Sequence, residues 1–186
     1  EGEEILEDIS NKKKQVIFVS GHFANFELMS MELTRRKINL ATIYRPLNNI
    51  FINPLMEYLR RKYVCNNQIK KGRSGVRETM DYIQKKFNVA LMVDQRVSEG
   101  EKVKFFSADS YTTTLPAQLA LKYNLQIVPI FLERKNVSNF HMKVLAPISA
   151  NKIGNKIEIT KKINQTIEKM ILQNPHQWIW THDRWK

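Results

Sequence analysis

Gln15-Val16-Ile17-Phe18-Val19-Ser20-Gly21-His22-Phe23-Ala24-Asn25-Phe26-Glu27-Leu28-Met29 is the stretch on which the fold turns. Residues 15–19 form a short β-branched and aromatic run that reads as a buried strand. Leu28, Met29, Met31, Glu32 and Leu33 are good helix formers. His22 therefore falls in the turn between a strand and a helix, and Glu27 falls in the helix's first turn. In open α/β sheets, ligands bind beyond the carboxyl ends of strands, beside the helix starts. With four residues between them, the imidazole can fold back over the helix start. Glu27 can then accept the proton on one ring nitrogen and leave the other as a base. The same residues also allow a plainer account. Asn25 or Ala24 caps the helix, Glu27 sits near the positive end of its dipole, and His22 is an ordinary turn residue. His-x4-Glu alone does not decide between the two.

The rest of the chain alternates in the same way. Residues 38–44 read as a second strand with the loop Arg45-Pro46-Leu47-Asn48-Asn49 at its carboxyl end. A helical stretch over 51–63 closes on Arg60-Arg61-Lys62, cations suited to the negative end of a helix. A short strand follows over 64–69, then an amphipathic helix over 76–87. Residues 89–93, Val-Ala-Leu-Met-Val, have the composition of a buried parallel strand. It delivers Asp94-Gln95 to its carboxyl end as the first strand delivers His22, and a carboxylate there is either functional or a loop-organising acceptor. Residues 96–104 read as a polar loop. The triplet Thr112-Thr113-Thr114 offers a cap for a helix over 115–123. Strands over 126–132 and 140–145 lie too close for a helix between them and predict an antiparallel pair. A long amphipathic helix spans 157–172, stopped by Pro175. Together these patterns predict one α/β domain over 1–186, a mixed and mostly parallel central sheet flanked by helices.

Composition narrows the chemistry. The chain has 186 residues with 30 Lys and Arg against 18 Asp and Glu, a net charge of +12. Five of the acids (Glu1, Glu3, Glu4, Glu7, Asp8) lie in the first eight residues, so the remainder sets 30 bases against 13 acids. Such a surface attracts anions: phosphorylated lipids, an acidic carrier protein or nucleic acid. Cys65 is the only cysteine, which rules out an intrachain disulfide, and four scattered histidines make no metal cluster. Lys70-Lys71-Gly72-Arg73-Ser74-Gly75 lacks the spacing of a phosphate-binding loop, and no G-x-S-x-G nucleophile elbow occurs. Cys65 has no neighbouring histidine or helix start that would activate it. No apolar run approaches the ~20 residues of a spanning helix.

Five ordered blocks carry a resemblance: SGHFANFELM (20–29), YRPLNN (44–49), LMVDQ (91–95), TTTLPAQLALKYNLQIVPIF (112–131) and PHQWIWTHDRWK (175–186). In that order they resemble the late lipid A biosynthesis acyltransferases, of the lauroyl or myristoyl type, within the lysophospholipid acyltransferase superfamily. The resemblance covers nearly the whole chain. It implies a glycerolipid-acyltransferase-like fold with His22 and Glu27 as catalytic residues. It also implies substrate-binding roles for Arg45 and Arg60, with Arg61 as the fallback for the latter. Asp94 is carried over as a site residue that supports the pocket. The packed end of such proteins accounts for Trp178, Trp180 and Trp185, which otherwise read as a membrane-interface belt or a stacking surface.

The implied reaction is acyl transfer without a cofactor or metal. A fatty acyl group on acyl carrier protein passes to a hydroxyl of an anionic phosphorylated glycolipid, a lipid A precursor. His22 serves as general base and Glu27 holds its tautomer. The implied location is the cytoplasmic face of the bacterial inner membrane, at the membrane surface, with an N-terminal anchor expected upstream of Glu1. No nucleic acid partner is expected. Two rivals remain. The first is an acyltransferase for another glycolipid or a lysophospholipid, although glycerol-phosphate acyltransferases use His-x4-Asp. The second is a basic RNA-binding domain, which has charge and tryptophans in its favour but no ribonucleoprotein motif, KH loop or zinc knuckle.

Overall fold

The computed structural model describes residues 1–186. β1 (Val16–Ser20) is buried at all five positions and is paired on both sides. Its side chains alternate between two cores, as a strand's period of two requires. Ile17 and Val19 enter the larger cluster, and Val16 and Phe18 the smaller. Helices cover both faces. On one lie α1 (Glu3–Asn11) and α2 (Glu27–Arg35), which contribute Leu6, Ile9, Met29 and Leu33. On the other lie α4 (Arg73–Gln84), α5 (Leu115–Tyr123) and α7 (Lys156–Gln173). These supply Ile83, Ala117, Leu119, Ile159, Ile163 and Ile167.

The other strands of the main sheet are β2 (Leu40–Tyr44), β3 (Asn67–Lys70), β4 (Asn88–Met92), β7 (Gln126–Arg134), β8 (Phe140–Val144) and β9 (Ile148–Ser149). They order the main sheet as β3-β2-β4-β1-β7-β8, with β9 also on β7. All pairs from β3 to β7 are parallel. β8 and β9 run antiparallel to β7, as the short spacing between residues 132 and 140 predicts for β8. The mixed, mostly parallel sheet with helices on both faces is the expected class. After β1 the chain moves outward to β2 and β3, returns to insert β4 beside β1, and later crosses to β7. β1 and β4 thus flank the point where the order reverses, the place at which open α/β sheets bind ligands.

Two local expectations need correction. Residues 96–104 are not simply a loop, because Glu101–Phe105 is β5 and pairs antiparallel with β6 (Ala108–Thr112) as a separate hairpin. Val103 and Phe105 point inward between exposed charges, so the alternation is present but diluted by Lys102 and Lys104. The helix expected over 51–63 is two pieces, α3 (Asn53–Leu59) and a π-helical turn, Arg60–Val64. That wide turn delays the next strand to Asn67. The short α6 (Ala150–Ile153) completes the elements, and no helix is long and apolar enough to cross a membrane.

The last ten residues are built into the fold. Arg184 is fully buried in the β5–β6 hairpin. Its Nη1 donates to Ser110 Oγ and, at 3.0 Å, to the Tyr111 carbonyl, while Nη2 donates to Thr112 Oγ1 at 2.6 Å. The guanidinium stacks 4.6 Å from the Phe105 ring centre. Burial pulls its pKa down to about 10, partly offset by the Asp94 charge. Replacing it with alanine opens a cavity and removes a charged donor from both hydroxyls and from the Tyr111 carbonyl. We expect Arg184→Ala to lower the unfolding free energy by about 2–4 kcal/mol. Arg184→Met keeps the stem and recovers part of that loss. Urea unfolding of the two variants checks the order.

Glu57 ties α3 to the sheet edge. It accepts from Asn53 Nδ2 at 2.8 Å and meets Lys70 Nζ at 3.1 Å. The Tyr44 hydroxyl, then Asn53 and Lys70, hold its carboxyl at about 2, below the ordinary 4.5. A depressed folded-state pKa stabilises the fold above the unfolded value and loses that contribution as pH falls through the folded one. We expect Glu57→Gln to be less stable than wild type above pH ~4.5 and the gap to close toward pH ~2. Thermal unfolding across that range measures it.

Candidate active site

The site grows out of the strand register. Ser20 of β1 pairs with Met92 of β4. His22 and Asp94 each lie two residues beyond those partners, so they emerge side by side at the carboxyl edge of the sheet. The Val93 N–H still donates to the Ser20 carbonyl at 2.9 Å, which carries the ladder to the brink of the site. Gly21 makes the close approach possible: a Cβ there would stand 2.6 Å from the Phe23 ring and 3.3 Å from the Asp94 carboxyl carbon.

Asp94 is buried and receives three hydrogen bonds. His22 Nδ1 lies 2.7 Å from Oδ1, the His22 backbone N–H donates to Oδ2 at 2.8 Å, and the Trp178 indole N–H donates to Oδ2 at 2.7 Å. Burial pushes this carboxyl's pKa up, but the hydrogen bonds and charge of His22, with the Trp178 bond, outweigh it. The net position lies below the ordinary carboxylate range. An ionised Asp94 makes Nδ1 the protonated nitrogen of His22 and leaves Nε2 as the acceptor. The Phe26 ring packs edge-on against the imidazole, 4.6 Å between centres.

Asp94, and not Glu27, is therefore the carboxylate on the His22 ring. Glu27 turns instead to the π-helical turn. Its Oε1 accepts from Arg60 Nε at 2.8 Å and from Nη2 at 2.7 Å. The reason is topological. Adjacent strands set His22 beside Asp94, whereas α2 carries Glu27 toward the segment that packs against that helix. Arg60 is largely buried, its guanidinium lies 5.6 Å from the Tyr44 ring centre, and its Nη1 is buried without a protein partner. Burial, aided by the Glu57 carboxylate, pushes the Tyr44 phenol up to about 12, so it stays protonated.

A cleft of about 490 Å³ runs along this edge and is lined by His22, Glu27, Arg45, Arg60, Lys71 and His182, among others. It thus gathers His22, Glu27, Arg45 and Arg60, while Asp94 lies beneath its wall. Phe26, Ile43, Leu91, Met92, Val97 and Leu115 give it an apolar side. No group of three or more His, Cys, Asp or Glu side chains is placed to hold a metal.

The C-terminal segment closes the site from above. The Ala24 N–H donates to the Gln177 carbonyl at 2.8 Å and the Ile179 N–H to the His22 carbonyl at 3.0 Å, an antiparallel bridge centred on Phe23 and Trp178. Ala24 adopts a left-handed φ of 45° in this turn. His182 Nε2 accepts from the Arg96 backbone N–H at 3.1 Å, and burial holds its pKa below the ordinary value, so it presents a neutral ring to the cleft. Trp178 as the donor to Asp94, Lys71 and His182 were not singled out from sequence. The equal offset of His22 and Asp94 from their strand ends was the available signal for the central pair.

Comparison with known proteins gives the same direction. The profile of the family described as bacterial lipid A biosynthesis acyltransferase matches residues 1–186. A lipid A biosynthesis acyltransferase 2 of Shigella flexneri is 22% identical over 186 residues, covering 96% of this chain and 58% of that protein. A lipid A biosynthesis lauroyltransferase of Escherichia coli is 24% identical over 189 residues, covering 100% of this chain and 60% of that one. The chain thus spans a little under two thirds of these relatives. In fold it is similar to the crystal structure of the 1-acyl-sn-glycerophosphate acyltransferase of Thermotoga maritima. That match has a TM-score of 0.55 at 12% identity, covering 95% of this chain and 80% of the other. With a profile match along its whole length, this chain belongs to the bacterial lipid A biosynthesis acyltransferase family.

Proposed function

We propose that the protein is an O-acyltransferase that moves a fatty acyl group from an acyl carrier protein thioester to a hydroxyl of a lipid A precursor, at the cytoplasmic face of the bacterial inner membrane. The observation that carries this reading is the His22–Asp94 pair, whose free Nε2 belongs to a cleft that also holds Arg45, Arg60 and Lys71. Nε2 takes the proton of the acceptor hydroxyl as its oxygen attacks the thioester carbonyl. The tetrahedral intermediate then collapses, the carbon–sulfur bond breaks, and the thiolate leaves with the proton from the imidazolium. Asp94 holds the tautomer and offsets the imidazolium charge, the part the sequence assigned to Glu27. The role of Glu27 becomes that of a positioning residue: it fixes Arg60, whose unpaired Nη1 is a donor for a phosphate or for the developing oxyanion. No enzyme nucleophile takes part. Burial raises the pKa of the Cys65 thiol, the wrong direction for one. The cations suit the two anionic partners, and the apolar wall suits an acyl chain.

The test supplies an acyl carrier protein thioester and a tetra-acylated lipid A precursor in detergent, with a lysophospholipid as a second acceptor. Wild type is expected to acylate the lipid A precursor, and His22→Ala to lose transfer while keeping its fold. Transfer to the lysophospholipid alone would move the reading to the other acceptor, and equal turnover by His22→Ala would overturn the base assignment. Asp94→Asn is expected to lose roughly 10²–10⁴-fold in kcat with KM little changed. A loss of melting temperature with kcat retained would make Asp94 purely structural.

A further inference from the structure

α3 packs loosely on the protein: none of its seven residues is fully buried, and Asn53, Met56, Glu57 and Leu59 are half-buried. Ile50 is 75% exposed, Phe51 86%, Leu55 57% and Tyr58 56%. Phe51, Leu55 and Tyr58 stand at i, i+4 and i+7, and Ile52 joins Leu55 at i+3, the spacing of a single apolar stripe. A stripe of this kind ordinarily packs on a core, yet this one meets solvent. Leu47 continues it to the lip of the cleft, beside Pro46 and Asn48. A contiguous exposed apolar surface of this sort marks an interaction site.

Charge identifies the partner. From Leu33 through Arg77 the chain carries eleven Lys and Arg and a single acid, Glu57. That acid is engaged by Asn53 and Lys70. Arg45, Arg61, Lys62, Lys71 and Arg73 are exposed. The Lys62 ammonium lies 5.5 Å from the Tyr58 ring centre and 5.2 Å from that of Tyr63. An aliphatic and aromatic tip collared by cations has the make-up of a segment that lies in the headgroup region of an anionic bilayer. A second copy of the chain would oppose like charge with like charge.

We propose that residues 47–63 dock the protein on an anionic lipid surface. Ile50, Phe51, Leu55 and Tyr58 sink into the interface and the cations meet headgroup phosphates, so the cleft opens at the level of the lipids. The docking rests on this surface. Only the identity of what enters the cleft rests on the proposed acyl transfer.

The experiment sediments the protein with vesicles of phosphatidylglycerol and phosphatidylethanolamine, and separately with phosphatidylcholine alone. Wild type is expected to bind the anionic vesicles and to lose binding at high salt. Phe51→Glu with Leu55→Glu is expected to weaken binding at least about tenfold per side chain. Arg61→Ser with Lys62→Ser weakens it about fivefold per charge. All four positions are exposed and outside the cleft lining, so circular dichroism stays that of wild type. Transfer to a detergent-dispersed acceptor is retained by the Phe51/Leu55 variant, and transfer to the same acceptor in vesicles is lost. Equal vesicle binding by wild type and that variant would overturn the docking, as would no binding by wild type or a dimer that the variant abolishes. Vesicle binding by wild type that the Phe51/Leu55 variant loses, with no transfer by wild type to either acceptor form, would leave the docking standing and overturn the acyl transfer.

Discussion

Three hydrogen bonds converge on one buried carboxylate, and the site depends on them. An ionised Asp94 inside the fold is tolerable only because His22 supplies both a ring N–H and a backbone N–H and Trp178 supplies an indole N–H. The donors come from two parts of the architecture, the end of β1 and the C-terminal segment, and meet Asp94 at the end of β4. A disturbance of any one leaves a buried charge short of a partner. The parallel pairing of β1 with β4 is thus a chemical requirement as well as a packing one, since a slip of one residue would move Asp94 to the other face of the sheet.

The basic character of the chain resolves into separate tasks at the level of residues. Arg184 is interior, solvated by hydroxyls, a carbonyl and an aromatic face instead of by water. Arg60 lines the cleft, is held by Glu27 and keeps its Nη1 buried without a protein partner. Arg45 and Lys71 line the cleft from exposed positions. A net charge counts these alike, yet their surroundings give them structural, positioning and binding capacities.

Much of this was legible in the sequence, and the failures share a cause. Strands and helices with undiluted periodicity were readable, as for residues 16–20, 88–92 and 115–123, and so was the antiparallel turn-back of residues 126–144. The pairing of His22 with Glu27 looked natural because the two are near in sequence, but the partner that prevails lies 72 positions away. Chain proximity does not show which strands become neighbours, and β4 reaches β1 only after two other strands have been laid down. The β5–β6 hairpin escaped for a related reason. Ser110 and Thr112 face inward as polar residues, which argues against a buried strand until Arg184 arrives from the far end of the chain to occupy their hydroxyls. Arg45 and Arg60 were placed at the cleft by resemblance, and the structure brings both there.

The π-helical turn at Arg60–Val64 follows directly on α3. A π turn holds about one residue more than an α turn, and one residue is about 100° of rotation around a helix axis. Arg60 stands two residues past Tyr58, about 200° further round that axis. Phe51, Leu55 and Tyr58 keep one heading, outward, while Arg60 takes another, inward to Glu27. One continuous helical rod thus addresses two environments at once, and removing Leu59 from it would swing Arg60 by about 100° and part it from Glu27.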